Sequence, residues 1–219
     1  MSDVLQLRDC LDSGLVSLER VNYFPRQLLS VDDMEAECKY FRQKLRRHNR
    51  FLHGWGIVCG LEVSDAAPNN PNSSNVQISP GYALGPYGDE IFVPSSITLD
   101  LTKCLPGAAT DPCQPNVVSG GTPGTGTSLY IAIKYAECLA KPVRAMPAGC
   151  ACDDEDCQYS RVRDSFQISC LTVPPDPSGV PSLCDFTNGK VRSLTCPPCP
   201  TSPWVYLAQV TFVPPTVIQ

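Results

Sequence analysis

The chain has 219 residues, of which 42% are hydrophobic and 18% are charged, and its formal net charge at pH 7 is −5. This hydrophobic fraction is enough for a packed core, and the length fits one large domain or two small ones. The acidic balance argues against a general nucleic-acid-binding protein, because such proteins present a basic surface to phosphates. No apolar run reaches the roughly 18 residues of a membrane-spanning helix, so we expect no membrane span.

The N-terminal region contains no apolar block followed by a small-residue cleavage site, so we expect no Sec signal peptide. The chain nevertheless has 13 cysteines, a density typical of disulfide-stabilised scaffolds or of metal sites. Because this number is odd, at least one thiol is free or pairs with another chain.

One segment, residues 31–53, is predicted to be a long helix. Ser30 and Asp33 have the spacing of a capping box, in which each side chain binds the backbone amide of the other residue. Acidic residues are concentrated at the start of the segment and arginines near its end, which complements the helix dipole. Gly54 stands where a helix commonly ends.

Six residues recur along this helix at alternating spacings of four and three: Met34, Cys38, Phe41, Leu45, His48 and Leu52. This alternation is typical of the narrow seam by which two helices pack, so we predict an interface between subunits and a homo-oligomer. The basic run at residues 42–50 is predicted to be a solvated or inter-subunit salt-bridged face. His48 and His53 are five residues apart, which predicts that they lie on different sides of the helix and are poor metal co-ligands.

After the helix, short alternating runs are separated by proline- and glycine-rich turns. Residues 76–94 are typical of a β-meander, and residues 129–138, 165–173 and 204–213 alternate as strands do. We therefore predict a mainly β fold, antiparallel and sandwich- or barrel-like, with long loops and one long N-terminal helix. Residues 1–64 would form an arm and the helix and residues 65–219 a β-rich body, with one continuous domain as the alternative.

The cysteines near residue 150 have a spacing that suits a structural zinc site. Thiolates two or three residues apart can converge on one tetrahedral ion, whose four candidate ligands are Cys150, Cys152, Cys157 and one of Cys196 or Cys199. The alternative, which we favour, is a set of disulfides such as Cys104–Cys113 or Cys170–Cys184. No other cofactor is expected.

Catalytic motifs are missing from the sequence. It contains no nucleophile elbow, zinc-protease, P-loop or dinucleotide-binding motif, so we expect no enzymatic activity. A binding module is an alternative class, with Tyr82, Tyr87 and Trp204 as candidate aromatic contacts, although core packing explains these residues as well. Trp55, between two glycines, is predicted to be a core anchor.

Two stretches resemble a family of largely uncharacterised proteins encoded among phage-tail-like and contractile injection system genes. They are YFPRQLL followed by HNRFLHGWGIVCGLEV within residues 23–63, and ISPGYALGPYGDEIFVP at residues 78–94. Later matches are Tyr135, Glu137, Pro142, Val143 and residues 159–166. Two departures are visible, because Arg26 replaces a glycine that is usual in the family and Gly85 replaces a usual aspartate.

This resemblance implies a structural component of a phage-tail-like particle, or an accessory exposed on its surface, and identifies no reaction. The expected partners are further copies of this chain and other particle components. The chain would be made in the cytoplasm and finally lie on the particle or outside the cell. The alternatives are a self-assembling, disulfide-rich extracellular filament subunit and a surface-binding module.

Overall fold

The computed structural model describes residues 17–67, 74–104, 113, 127–144, 157–175 and 199–212. Within these ranges one helix near the N-terminus precedes nine β-strands, which form three antiparallel sheets of three strands each. The predicted mainly β class with one long N-terminal helix is therefore confirmed. None of the helices in these ranges combines the length and apolar character that a membrane crossing needs.

The helix α1, Val31–His48, continues into a π-helical turn, Asn49–His53. Its start is the predicted capping box, because Asp33 N donates to Ser30 Oγ at 3.1 Å and Ser30 N donates to Asp33 Oδ2 at 2.9 Å. Its end is the predicted glycine, since Gly54 has φ 77° and donates its amide to Asn49 O at 2.9 Å. The local sequence signals thus define both ends of the helical segment.

A turn with an unusual backbone precedes α1. Gln27 N donates to Phe24 O at 3.2 Å, and Arg26 in this turn has φ 71°. A turn with proline at its second position and a positive φ at its third favours glycine at the third position. Arg26, which departs from the usual glycine of the resembling family, therefore occupies the position where glycine would relieve backbone strain.

Six short strands form a bent meander: β1 Gly56–Gly60, β2 Val63–Asp65, β3 Asn75–Ile78, β4 Gly81–Leu84, β5 Glu90–Val93 and β6 Ile97–Asp100. One sheet has the order β1-β4-β5 and the other β2-β3-β6. The chain therefore makes three antiparallel passes, and a short break divides each pass into two strands: β1 and β2, β3 and β4, and β5 and β6. Gly60, with φ 64°, permits this bend, and Leu61 N still donates to Pro80 O at 3.3 Å across it.

The third sheet is longer and has the order β8-β7-β9, with β7 at Thr127–Arg144, β8 at Cys157–Leu171 and β9 at Val205–Phe212. Each of the three alternating runs predicted after the meander lies largely within one of these strands. β9 pairs only with Thr127–Ile133, so β7 and β8 continue beyond it as a two-stranded arm. The outer part of the arm, residues 139–144 and 158–163, is largely exposed and lies outside the predicted alternating runs.

The core lies between the meander and the long sheet. Its fully buried aliphatic side chains come from both parts, namely Leu61, Ile78, Ile91, Val93, Leu99, Leu129, Ile131, Ile133 and Ile168. Strands β3 and β5 bury every second residue, as a sheet with one covered face requires. The sheets of the described residues are open, so the barrel-like version of the prediction is wrong: packing of open sheets, rather than closure of one sheet, covers the apolar faces. The predicted domain boundary at residue 64 falls within β2, which pairs with β3.

Two disulfides differ from the predicted pairs. Cys104, which follows β6, bonds to Cys170 on β8, with 5.8 Å between their Cα atoms. Cys113 bonds to Cys138 on β7, with 5.3 Å between their Cα atoms. The suggested pairs Cys104–Cys113 and Cys170–Cys184 are thus wrong, because the end of β6 packs on the long sheet and brings together cysteines that are far apart in sequence. In the chain-entropy description each bridge contributes on the order of 4 kcal/mol.

Candidate interface on the helix

A turn of the meander docks closely against α1. Gly88, in the turn between β4 and β5, has φ 91°, and Asn49 Nδ2 donates to its carbonyl oxygen at 2.9 Å. A Cβ at Gly88 would lie 2.7 Å from Arg46 Cα and 2.8 Å from the carbonyl carbon of Arg46. Only glycine therefore permits both this backbone conformation and this close approach.

An ion pair at the same contact is buried. Arg46 Nε donates to Asp89 Oδ1 at 2.6 Å, and both side chains are only 7% exposed. Burial raises the pKa of the Asp89 carboxyl above its ordinary value, while the charge and hydrogen bond of Arg46 oppose that rise. A buried carboxylate without its arginine would be costly, so this pair fixes the helix on the meander.

A third contact joins α1 to the long sheet. Arg42 Nη1 lies 3.4 Å from Glu137 Oε1 on β7, in a pair that is partly exposed. Beside it, Tyr135 OH lies 2.7 Å from Asp164 Oδ1 and 3.2 Å from Glu137 Oε1. Burial, followed by the hydrogen bond to Asp164 and the neighbouring carboxylates, raises the pKa of Tyr135, so the neutral hydroxyl acts as a donor.

These contacts correct the prediction for the basic run at residues 42–50. Arg46 and Arg50 are buried at 6% and 4% exposure, together with Gln43 and Asn49, so this face is not solvated. The prediction of a solvated face is wrong because arginines normally stay in water unless buried carboxylates and carbonyls accept their hydrogen bonds. The signal that could have revealed the contact is an acidic residue directly after a turn glycine, Gly88-Asp89.

The predicted seam lies on the opposite face of α1 and is exposed. Met34, Phe41, Leu45 and Leu52 are 56%, 58%, 50% and 57% exposed, and Cys38 and His48 are exposed as well. We call these six residues the apolar face. A shallow groove of about 330 Å³ runs along it between Phe41, Lys44, Leu45 and His48. An exposed apolar stripe on a helix that is anchored from behind is typical of a protein–protein interface.

The two histidines lie closer together than predicted. His48 Nε2 and His53 Nε2 are 3.3 Å apart, and the ring centroids are 5.1 Å apart. The expectation that they lie on different sides is wrong, because the π-helical turn adds one residue per turn and places residues five apart on the same side. In the described part of the chain, no third metal-binding side chain joins them.

The candidate zinc ligands are only partly within the described residues. Cys199 is disulfide-bonded, as the disulfide alternative expects, and a bonded sulfur is not a thiolate ligand. Cys150, Cys152 and Cys196 lie outside the described residues, and of Cys157 only the backbone is described. Zinc binding at this cluster therefore stays a prediction. Cys38 and Cys59 are free and exposed, in line with the odd number of cysteines.

The three aromatic residues suggested for a binding module have different environments. Tyr87 is buried, and Trp204 is half-buried with Lys134 Nζ 4.9 Å from its ring centroid. Tyr82 is partly exposed on β4, where it pairs with Cys59 on one side and with the exposed Phe92 on the other. Burial and neighbouring Glu90 raise the pKa of Tyr82. Trp55 is buried, as predicted.

Comparison with known proteins gives no further guidance. No protein-family model matches the chain, and no curated protein matches its sequence. The likeness to a family encoded with phage-tail-like genes therefore stays a prediction, and the functional argument depends on the geometry of α1.

Proposed function

We propose that the chain is a non-enzymatic structural subunit that assembles through the apolar face of α1 and through edge strands. The observation that carries this proposal is the exposure of the apolar face on a helix whose polar face is already anchored to the body. An apolar stripe in water is unfavourable, and burial against another protein surface removes that cost.

Edge strands supply a second means of association. β8 is an edge strand of the long sheet, and Val162 on β8 and Leu139 opposite it on β7 are 57% and 58% exposed. An exposed edge with apolar side chains is a template for pairing with another strand. Helix and edge contacts together allow a subunit to build an assembly larger than a dimer.

The particle to which this subunit belongs is proposed from the family resemblance: a phage-tail-like or contractile injection particle. The disulfides favour the alternative of an extracellular filament subunit, because such bonds persist in oxidising compartments. A surface-binding module is a third candidate, for which the exposed row Cys59, Tyr82 and Phe92 is the supporting observation.

A matched pair of variants tests assembly through the helix. In sedimentation velocity, the wild-type chain is expected to associate with increasing concentration, and Leu45→Glu is expected to abolish most of that association, because a carboxylate would be buried in the apolar contact. Val173→Glu is the control, since Val173 is 70% exposed and lies outside the helix and the strands. A wild-type chain that remains monomeric at high concentration, or equal effects of the two variants, would overturn the proposal.

A further inference from the structure

We propose that the apolar face of α1 binds the same face of a second copy of this chain, with the two helices antiparallel and related by a two-fold axis. This inference depends on the proposed assembly through α1 and names its partner and its geometry. It is carried by the charges that border the apolar face, by the sizes of the residues along it, and by the position of the body behind it.

The charged residues that border the apolar face change sign halfway along α1. Glu35 and Glu37 border its N-terminal half, while Arg42 and Lys44 border its C-terminal half. Residues that flank a helix–helix seam meet the flanking residues of the partner helix. Antiparallel helices therefore place Glu35 beside Arg42 of the second copy. They also place Glu37 beside Lys44 of the second copy, and the two-fold axis repeats both pairs.

A parallel arrangement of the two helices would form fewer pairs of opposite charge between them. In that arrangement Glu37 would meet Arg42 of the second copy, but Lys44 would meet Asn49, which already donates to Gly88 O within its own chain. Arg42 also pairs with Glu137 within its own chain. The pair between Glu37 and Lys44 is therefore the contact that best distinguishes the two directions.

The residue sizes along the apolar face also favour the antiparallel direction. The register set by the charge pairs places Cys38 opposite Phe41 of the second copy, so a small residue meets a large one. In the next pair along the helices Met34 contacts Leu45 of the second copy, and at the end Val31, which is 70% exposed, contacts His48 of the second copy. A parallel pair would instead place Phe41 against Phe41 and Cys38 against Cys38, which fills space less evenly.

The body leaves room for this arrangement. Gln43, Arg46 and Arg50 face the body and are buried, on the side of the helix opposite to the apolar face. Two helices that meet through their apolar faces therefore keep the two bodies on the outer sides. The regular α-helix, Val31–His48, is about 27 Å long and contains all the residues that meet in the proposed pairs. Leu52 lies beyond it, in the π-helical turn.

Cysteine cross-linking measures the direction directly. We would use full-length chains with Cys38→Ser and Cys59→Ser, which remove the two free thiols of the described residues, and add either Met34→Cys or Leu45→Cys; the chain with the two serines alone is the control for the remaining eleven cysteines. Under mild oxidation, a mixture of the Met34→Cys and Leu45→Cys variants is expected to give a cross-linked dimer on a non-reducing gel that the control does not give. Each variant alone is expected to give no more cross-linked dimer than the control, because equal positions lie at opposite ends of the antiparallel pair.

The outcomes separate this inference from the proposed function. Cross-linking of each variant with itself would show parallel helices and overturn the inference while assembly through α1 stands. The inference is likewise overturned, and assembly through α1 retained, if no cross-link forms although Leu45→Glu still disrupts a wild-type oligomer. A monomeric wild-type chain would overturn both the inference and the proposed function.

A charge exchange gives an independent measurement. Lys44→Glu and Glu37→Lys are each expected to weaken self-association about tenfold, because each turns attractive pairs at the seam into repulsive ones. Mixing the two variants is expected to restore association, since every Lys–Glu pair is then attractive again. Lys44→Glu without effect on the dissociation constant would contradict the antiparallel register, because in the parallel pair Lys44 faces an uncharged residue.

Discussion

The two faces of α1 reverse the usual arrangement of an amphipathic helix. The face that carries Arg46, Asn49 and Arg50 is buried against the body, while the face that carries Met34, Phe41 and Leu45 is exposed. Arg46 and Asn49 can be buried here because the Asp89 carboxylate accepts a hydrogen bond from Arg46 and the carbonyl of Gly88 accepts one from Asn49. An apolar periodicity therefore identifies residues that share one face of a helix, but it does not say whether that face is buried in the same chain or exposed.

The largest effect is expected when the buried ion pair is broken. Arg46→Met leaves the Asp89 carboxylate buried without its partner, so the free energy of unfolding should fall by about 3–5 kcal/mol in urea denaturation. Arg42→Met is the control and should cost less than about 1 kcal/mol, because the pair with Glu137 is partly exposed. Equal losses in the two variants would mean that the polar face does not anchor the helix.

The double variant Arg46→Met with Asp89→Asn sharpens the same test. Removing both charges should recover part of the stability lost in Arg46→Met, since no unpaired charge is then buried. Strictly additive losses would contradict a direct coupling between the two side chains.

A smaller loss is expected at the turn that docks on α1. Gly88→Ala adds a Cβ against Arg46 at a φ of 91°, so the free energy of unfolding should fall by about 1–3 kcal/mol. Gly85→Ala in the same turn is the matched control. Its Cβ would lie 3.4 Å from Asp89 O and 3.7 Å from Ile91 Cδ1, and thermal unfolding should show a clearly smaller change. Equal changes would contradict the close approach of turn and helix.

The smallest expected effect is the pH dependence of the stability that the capping contact at the exposed N-terminal end of α1 contributes. Hydrogen bonds from the Ser30 amide and hydroxyl lower the pKa of Asp33 below its ordinary value of 3.8. The stabilisation is therefore present above pH 3.8 and is lost as the pH falls through the lower pKa of the folded state. The difference in stability between wild type and Asp33→Asn should shrink over this acidic range in urea denaturation. A difference that is constant with pH would contradict the capping role.

Much of the fold was predictable because its signals are local. Ser30, Asp33 and Gly54 determined both ends of the helical segment, and alternating runs identified the strands of the long sheet. The π-helical turn was not predictable, and with it the contact of His48 with His53 was missed. The disulfides were also missed, because sequence spacing does not contain the distance between β6 and the long sheet.

The candidate site was predicted in part. The residues of the apolar face followed from their spacing alone. Asp89 gave only its place after the turn glycine Gly88 as a signal, and Tyr135 and Asp164 gave no pattern that linked them to the helix. Their contacts connect segments far apart in the chain, and nothing in the sequence of α1 names its distant partners.

The sequence by itself determined which residues form the helix, which form strands, and which helical residues share a face, because these properties depend on neighbours within a few positions. Only the tertiary structure decided which face of the helix turns inward. That choice depends on whether buried partners satisfy the polar side chains of this face, and Asp89 for Arg46 and the Gly88 carbonyl for Asn49 meet that requirement only after the meander has folded against the helix.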